Sequence, residues 1–286
     1  MSFYLTAILL GLGFSALAIG IFISLRIFNI PDITTDGSFT LGGVVTAVSL
    51  SSGISPILTF PLAFVAGFIA GIFTGIIHTG LKVNALLSGI LVMTGLYSIN
   101  LAILGRSNLP LINLPTIYSI FPFTNNLTIT QFYLTLLFIA FILFFIYRLM
   151  KTDFGLAMRA TGNNEQMVRA CGVNSDRMKI FGLGLANGLT ALSGYFITQI
   201  QGFADINMGI GIVILGLGSV MIGNILAAAI NKKSILFQLI GVVIGSIIFR
   251  IILAFALTIG IDAIYLKLIV AVFVLVIVSI PNFKKA

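Results

Sequence analysis

The sequence predicts an all-α fold, a polytopic transmembrane helical bundle of about nine spans (eight to ten). Three observations carry that expectation. Only 8% of the residues are charged and 59% are hydrophobic, whereas the surface of a soluble domain needs roughly 25% charged residues. Mean hydropathy is +1.21. The apolar runs are continuous over the roughly 20 residues of a spanning helix, where a transmembrane barrel would alternate in segments of about ten. Thirty glycines and no tryptophan suit helices that pack closely in lipid.

The first stretch, MSFYLTAILLGLGFSALAIGIFISLR, lacks a charged leader and an A-x-A-like cleavage site and is too long for a signal-peptide core. It is expected to stay as the first span, 3–25, stopped by Arg26. The polar run FNIPDITTDGSFTLGG, with Pro31, Asp32 and Asp36, leads into a short second helix at 38–50. A turn at 51–56 precedes a third helix at 57–77, rich in Gly and Ala. A loop at 78–84 with Lys82 precedes a fourth helix at 85–104. The stretch 106–130 holds Pro110, Pro115 and Pro122 and is longer than a plain connector. It is expected to hold a short lid helix or a contact surface. Further helices follow at 131–147, 180–200, 211–230, 235–257 and 264–280, with QGFADINMG as a turn between the sixth and seventh.

Charge sets the orientation. Basic residues cluster at 148–179, at Lys232-Lys233 and at Lys284-Lys285, and such clusters mark cytoplasmic segments. They follow the fifth, seventh and ninth spans, so all three agree. The N-terminus is then outside and the C-terminus inside, in a multi-pass protein of the cytoplasmic or inner membrane. Loops 26–37 and 78–84 are inside; loops 51–56, 105–130, 201–210 and 258–263 are outside. Arg106 is a basic residue left on the outer side. The net charge of +8 is explained by this distribution and does not indicate nucleic acid. One Cys and one His, Cys171 and His78, exclude an internal disulfide and make a metal site unexpected.

A short internal similarity relates Pro31-Asp32-Ile33 and Gly37 to Ala204-Asp205-Ile206 and Gly209, each ahead of a Gly-rich apolar helix. The two would run in opposite directions, the inverted-repeat pattern of transporters with interrupted helices. Chance similarity between Gly-rich apolar segments is the competing explanation.

The long polar interval is 151–179, KTDFGLAMRATGNNEQMVRACGVNSDRMK. It carries Lys151, Arg159, Arg169, Arg177 and Lys179 with Asp153, Glu165 and Asp176. Asn163 with Gln166 forms a capping-box pattern, Glu165 and Arg169 pair at i,i+4, and Gly172 suits the left-handed stop of a helix. A short capped helix is therefore expected at 164–171, with Met167, Val168 and Cys171 on one apolar face. It could lie at the lipid interface or dock into a partner's groove. The flanks 151–159 and 175–179 are expected to be tethers.

The run LAMRATGNNEQMVRACGVNSDRMKIFGLGLANGLTALSGYF resembles the ABC importer permeases of the branched-chain amino acid and ribose permease superfamily. They carry a similar G-x-N-x-x-x-A-x-x-x-G-I-x-x-x-R-x-K segment before an Ala/Gly-rich helix. Gln166 and Met167 fall where the family varies. NIPDITTDGSFTLGG, LKVNALLSGILVMTGLYSINLAILGRSNLPL and QGFADINMGIGIVILGLGSVMIG look like a subgroup of hydrophobic amino acid permeases of tryptophan/tyrosine type. The resemblance implies one permease domain over 1–286 with a coupling loop at 151–179. It implies a homodimer, two cytoplasmic ATPase subunits and an external substrate-binding lipoprotein. ATPase contact would fall on Asn163, Asn164, Glu165, Gln166, Met167, Val168, Arg169, Ala170, Cys171 and Gly172. No G-x-x-x-x-G-K-S/T run is present, so ATP and Mg would be held by the partner and this chain needs no cofactor.

Candidates for the translocation path are Asp32, Asp36, Asn84, Asn100, Asp205 and Arg250, because polar groups at depth face a bundle interior or cavity. Arg250 could pair with Asp205 or Asp262. Asp32 and Asp36 are read more simply as N-caps of the second helix. Asn84, Asn100, Asn187 and Gln199 are read more simply as partners in hydrogen bonds between helices. Two other readings are a stand-alone secondary transporter or channel, and a permease for sugars or nucleosides. A membrane enzyme is disfavoured, because no Ser/His, His/carboxylate or metal cluster stands out.

Overall fold

The computed structural model describes residues 2–124, 126–229, 234–260, 262 and 265–283. Lys232, Lys233, Lys284 and Lys285, used above to set orientation, lie outside them. Long helices stand where the nine spans were expected: α1 (Ser2–Ile21), α2 (Thr34–Ser51), α3 (Pro56–Gly80), α4 (Ala85–Leu104), α6 (Leu127–Lys151), α9 (Ser175–Gln201), α10 (Ile212–Ala229), α11 (Ile235–Thr258) and α12 (Leu266–Phe283). Shorter elements sit between them: β1 (Asn108–Pro110), α5 (Ile117–Ile120), α7 (Asp153–Asn163), α8 (Glu165–Ala170) and β2 (Phe203–Asp205). The segment Phe22–Ile27 continues α1 as a π-helical turn. The short helix expected within 106–130 is α5.

Several helices extend beyond their apolar runs. α6 starts at Leu127 rather than 131, because the Asn126 side chain accepts from Thr128 N–H at 3.2 Å. α9 starts at Ser175 rather than 180, with Asn174 accepting from Arg177 N–H at 3.0 Å. Hydropathy marks the part of a helix in lipid; caps decide where it ends.

The centre of the bundle is α9. Twenty-seven residues make it about 40 Å long. It packs along α3, α2 and α1 through glycines. A Cβ on Gly67, Gly71 or Gly75 of α3 would strike the Asn187 or Leu183 carbonyl or the Ile180 backbone. Gly42 of α2 meets Ala191, and Gly20 of α1 meets the Ala186 carbonyl. Small residues let the backbones touch. One buried apolar cluster draws from α1, α2, α3, α6, α7, α9, α10 and α11. α3, α4 and α6 turn Leu58, Leu91 and Phe141 outward, as surfaces bathed in lipid do.

β1 and β2 pair antiparallel, Leu109 opposite Ala204. This ladder was not foreseen; each strand is three residues long, too short for a period-two signal. It joins loops 105–130 and 201–210 at one end of α9, as parity requires. At the other end, Asn29 donates to the Gly162 carbonyl at 3.0 Å, joining loops 26–37 and 151–179, again as parity requires.

Candidate functional site

Two regions at different depths meet the sequence expectations, and α9 connects them. The first is the polar segment. It is more structured than expected: residues 153–163 form α7 rather than a tether. Thr152 caps α7, its Oγ1 accepting from Gly155 N–H at 3.2 Å. Gly162 reads as a breaker in sequence, yet it lies inside α7. A Cβ there would collide with the Ile27 carbonyl, so Gly serves close approach to the end of α1. The chain break falls one residue later than expected. Asn163 ends α7 and is exposed, and Asn164 is the cap of α8, its Oδ1 accepting from Met167 N–H at 3.0 Å. The Asn163–Gln166 capping box is therefore not formed.

α8 stops as expected. Gly172 has φ +82°, Gly172 N–H bonds the Arg169 carbonyl at 3.0 Å, and Val173 N–H bonds the Val168 carbonyl at 3.2 Å. These are the two bonds of a Schellman stop. The expected apolar face is split: Val168 is buried within the protein, while Met167, 54% exposed, and Cys171 face out. Gln166 and Ala170 are exposed beside them.

The Glu165–Arg169 pair is present at 2.7 Å, but it belongs to a larger cluster. Lys179 donates to Glu165 Oε2 at 2.6 Å and Ser175 to Oε1 at 3.0 Å. Arg169 also reaches Asp176 at 3.0 Å and Ser175 at 2.7 Å. Lys179, aided by Ser175 and Arg169, pulls the Glu165 carboxyl down to about 2. The expected tether 175–179 is thus the first turn of α9, and it holds α8 in place. Sequence showed the i,i+4 pair; the other partners are ten and fourteen residues from Glu165, beyond any helical spacing.

The second region lies at the start of α2. Asn187, in the middle of α9, donates to Asp32 Oδ2 at 2.6 Å and accepts from Ser38 at 2.7 Å. Asp32 Oδ1 takes Thr34 N–H at 2.8 Å, so Asp32 bonds the first residue of α2 from just ahead of the cap position, which Ile33 occupies rather than Asp32. Thr34 meets Thr74 of α3 at 2.8 Å, and Asn100 of α4 donates to the Gly37 carbonyl at 3.2 Å. Because Asn187 is mid-helix, α2 begins deep in the bundle rather than at its edge.

Asp36 corrects the sequence reading. It lies in the first turn of α2 but caps α10: Oδ2 accepts Gly211 N–H and Oδ1 accepts Val213 N–H, both at 2.9 Å. A carboxylate there also meets the positive end of the α10 dipole. Gly209 is packed on the Asp36 carbonyl, where a Cβ has no room. The two segments singled out as similar thus meet start to start, and α2 and α10 run away from each other.

Asn84 is at neither region. It is exposed at the start of α4 and caps it, accepting Leu86 N–H at 2.9 Å. Arg250 pairs with neither Asp205 nor Asp262 among the described residues. Its guanidinium lies over the Phe14 ring, 4.0 Å from the centroid. Asp205 accepts from Asn207 N–H at 2.8 Å and from Asn108 at 3.3 Å.

Residues 3–279 match the model of the family described as branched-chain amino acid transport system, permease component. The chain belongs to that family. This permease is 37% identical to a tyrosine transport system permease protein of Clostridioides difficile, over 94% of this chain and 88% of that one. It is 35% identical to an uncharacterised protein of Rickettsia prowazekii, over 100% of this chain and 99% of that one. A solved metal-chelate type ABC transporter in an inward-facing conformation shares the fold, with TM-score 0.52 and 13% identity, covering 99% of this permease and 85% of that chain. The protein is thus a membrane permease component of an ABC transporter. Such a permease works with a partner ATPase.

Proposed function

We propose that this permease, as a homodimer, imports a hydrophobic amino acid, aromatic or branched-chain, by alternating access. Substrate is delivered by an external binding protein, and two cytoplasmic ATPase subunits bind ATP and Mg. The N-terminus is outside and the C-terminus inside, and α8 with its exposed Met167 and Cys171 is the ATPase contact. The tyrosine permease relative supports the substrate class. The observation that carries the mechanism is the Glu165–Lys179 contact at 2.6 Å. It makes α8 and α9 one body, so a push on α8 is delivered along α9 to Asn187 and the α2–α10 junction. Packed elements with two arrangements transmit such motion by small sliding.

The test is reconstitution with the ATPase in proteoliposomes and uptake of labelled tyrosine, phenylalanine and leucine. Replacing Glu165, Met167 and Arg169 together is expected to abolish ATPase co-purification and uptake. Intact complex and uptake in that variant would show that coupling lies elsewhere.

A further inference from the structure

Arg250 and Asp205 line one cavity of about 310 Å³ together with Phe14, Phe39 and Phe203. It lies towards the β1–β2 end of the bundle, opposite α8. We infer that this cavity is an amino-acid subsite within the permease, taking the substrate carboxylate on Arg250, the ammonium on Asp205 and an aromatic or branched side chain on the Phe14–Phe39 wall. The inference rests on the amino-acid reading above and adds where, and by which groups, the substrate is held.

The charges argue for it. Arg250 sits eight residues inside the end of α11, where an unpaired charge is costly. Its Nε is buried without a hydrogen-bond partner, and no ion pair reaches it among the described residues. Among the described residues Asp205 accepts only from Asn108 and the Asn207 N–H, both neutral. One cavity therefore holds a cation and an anion that do not neutralise each other. A zwitterion neutralises both at once. A sugar or nucleoside supplies neither countercharge.

The wall supplies the remaining recognition. Phe14 and Phe39 stack at 5.6 Å with planes 10° apart, and Arg250 rests on the Phe14 face, so guanidinium and rings are held in fixed relation. The volume is at the small end of ligand pockets, roughly 300–1,000 Å³, suited to one amino acid rather than a peptide.

The test uses the full-length permease in nanodiscs, with L-tyrosine, tyramine and desaminotyrosine as ligands in saturation-transfer NMR. Tyrosine is expected to bind at least about tenfold tighter than either analogue, the least that a lost hydrogen bond to a charged group costs. Arg250→Gln should erase the preference over tyramine, and Asp205→Asn the preference over desaminotyrosine. Asp205→Asn keeps an oxygen for Asn207 N–H, so the test stands even if Arg250→Gln fails to fold. Unchanged preferences in the folded variants overturn the subsite. If they accompany tyrosine uptake by the reconstituted wild-type transporter, the amino-acid reading survives; absence of any amino-acid uptake by wild type overturns that reading as well.

Discussion

Lys179 donates to Glu165 at 2.6 Å across the break between α8 and α9. The Lys179 side chain is 16% exposed and that of Glu165 35%, so the contact is shielded without being dry. Lys179→Met is expected to lower uptake several-fold while ATPase subunits still co-purify. α8 would keep its cap, its Schellman stop and its bonds to Ser175 and Asp176, and lose the shortest of its contacts to α9. Uptake per complex in proteoliposomes measures this; equal loss of binding and uptake would mean that Lys179 only shapes the docking surface.

The same contact gives a pH dependence. Glu165 titrates in the folded protein at about 2, down from 4.5. A lowered carboxyl contributes stability above its unfolded value and loses it as pH falls toward the folded value. Proteolysis within 163–172 should therefore be constant above about pH 4.5 and quicken from there down toward pH 2. Partial exposure screens the effect, so local proteolysis is a better readout than global melting. In Glu165→Gln the quickening should vanish.

Glycines on α3 and α4 predict opposite outcomes. Gly71→Ala would place a Cβ against the Leu183 carbonyl and Gly184. Prising backbones apart should cost about 1–3 kcal/mol. Gly95→Ala on α4 meets nothing within 4 Å and should be neutral or stabilising by roughly 0.5–1 kcal/mol. Melting temperatures of the two variants in detergent decide it.

Sidedness is testable with the single native thiol. Cys171 is exposed and should react with a membrane-impermeant maleimide only after cells are permeabilised. In a Cys171→Ser background, Asn207→Cys, exposed beside β2, should react in intact cells. The reverse pattern would invert the topology.

Asn187→Leu should destabilise more than its size suggests. It would leave the Asp32 carboxylate without its 2.6 Å donor in a buried setting, costing about 1–3 kcal/mol. Asp32→Asn in the same background should recover part of it, because a neutral amide is cheaper to bury. A double-mutant cycle on melting measures the coupling.

Much of this was legible in the chain. Hydropathy located most of the long helices among the described residues, because lipid imposes a length on apolar runs; six are long and apolar enough to cross a membrane, and α2 is not among them. Glu165–Arg169 and Gly172 were legible because helix spacing and left-handed stops are local rules. Asn164 was missed as the cap because Thr161-Gly162 resembles a break; only the Ile27 carbonyl against Gly162 reveals why a glycine continues the helix. Asp36 was read as a cap of its own helix, since nothing local points 175 residues ahead to Gly211. Charge alone offers Arg250 a carboxylate, Asp205 or Asp262, as one possible partner, whereas its neighbour is the Phe14 ring. Contacts within one helical turn are written in the sequence; contacts between helices are written only in the packing.

The Asp36 junction also sets a clock on biosynthesis. α2 leaves the ribosome long before its partners: Asn187 follows Asp32 by 155 residues, and Val213 follows Asp36 by 177. At about 5–20 residues per second, the two carboxylates wait roughly 10–35 s for the groups that neutralise their burial. During that interval α2 has no reason to settle in lipid at its final depth. The start of α2 must be sheltered by the insertion machinery, or remain at the water interface, until α9 and α10 arrive and draw it inward together.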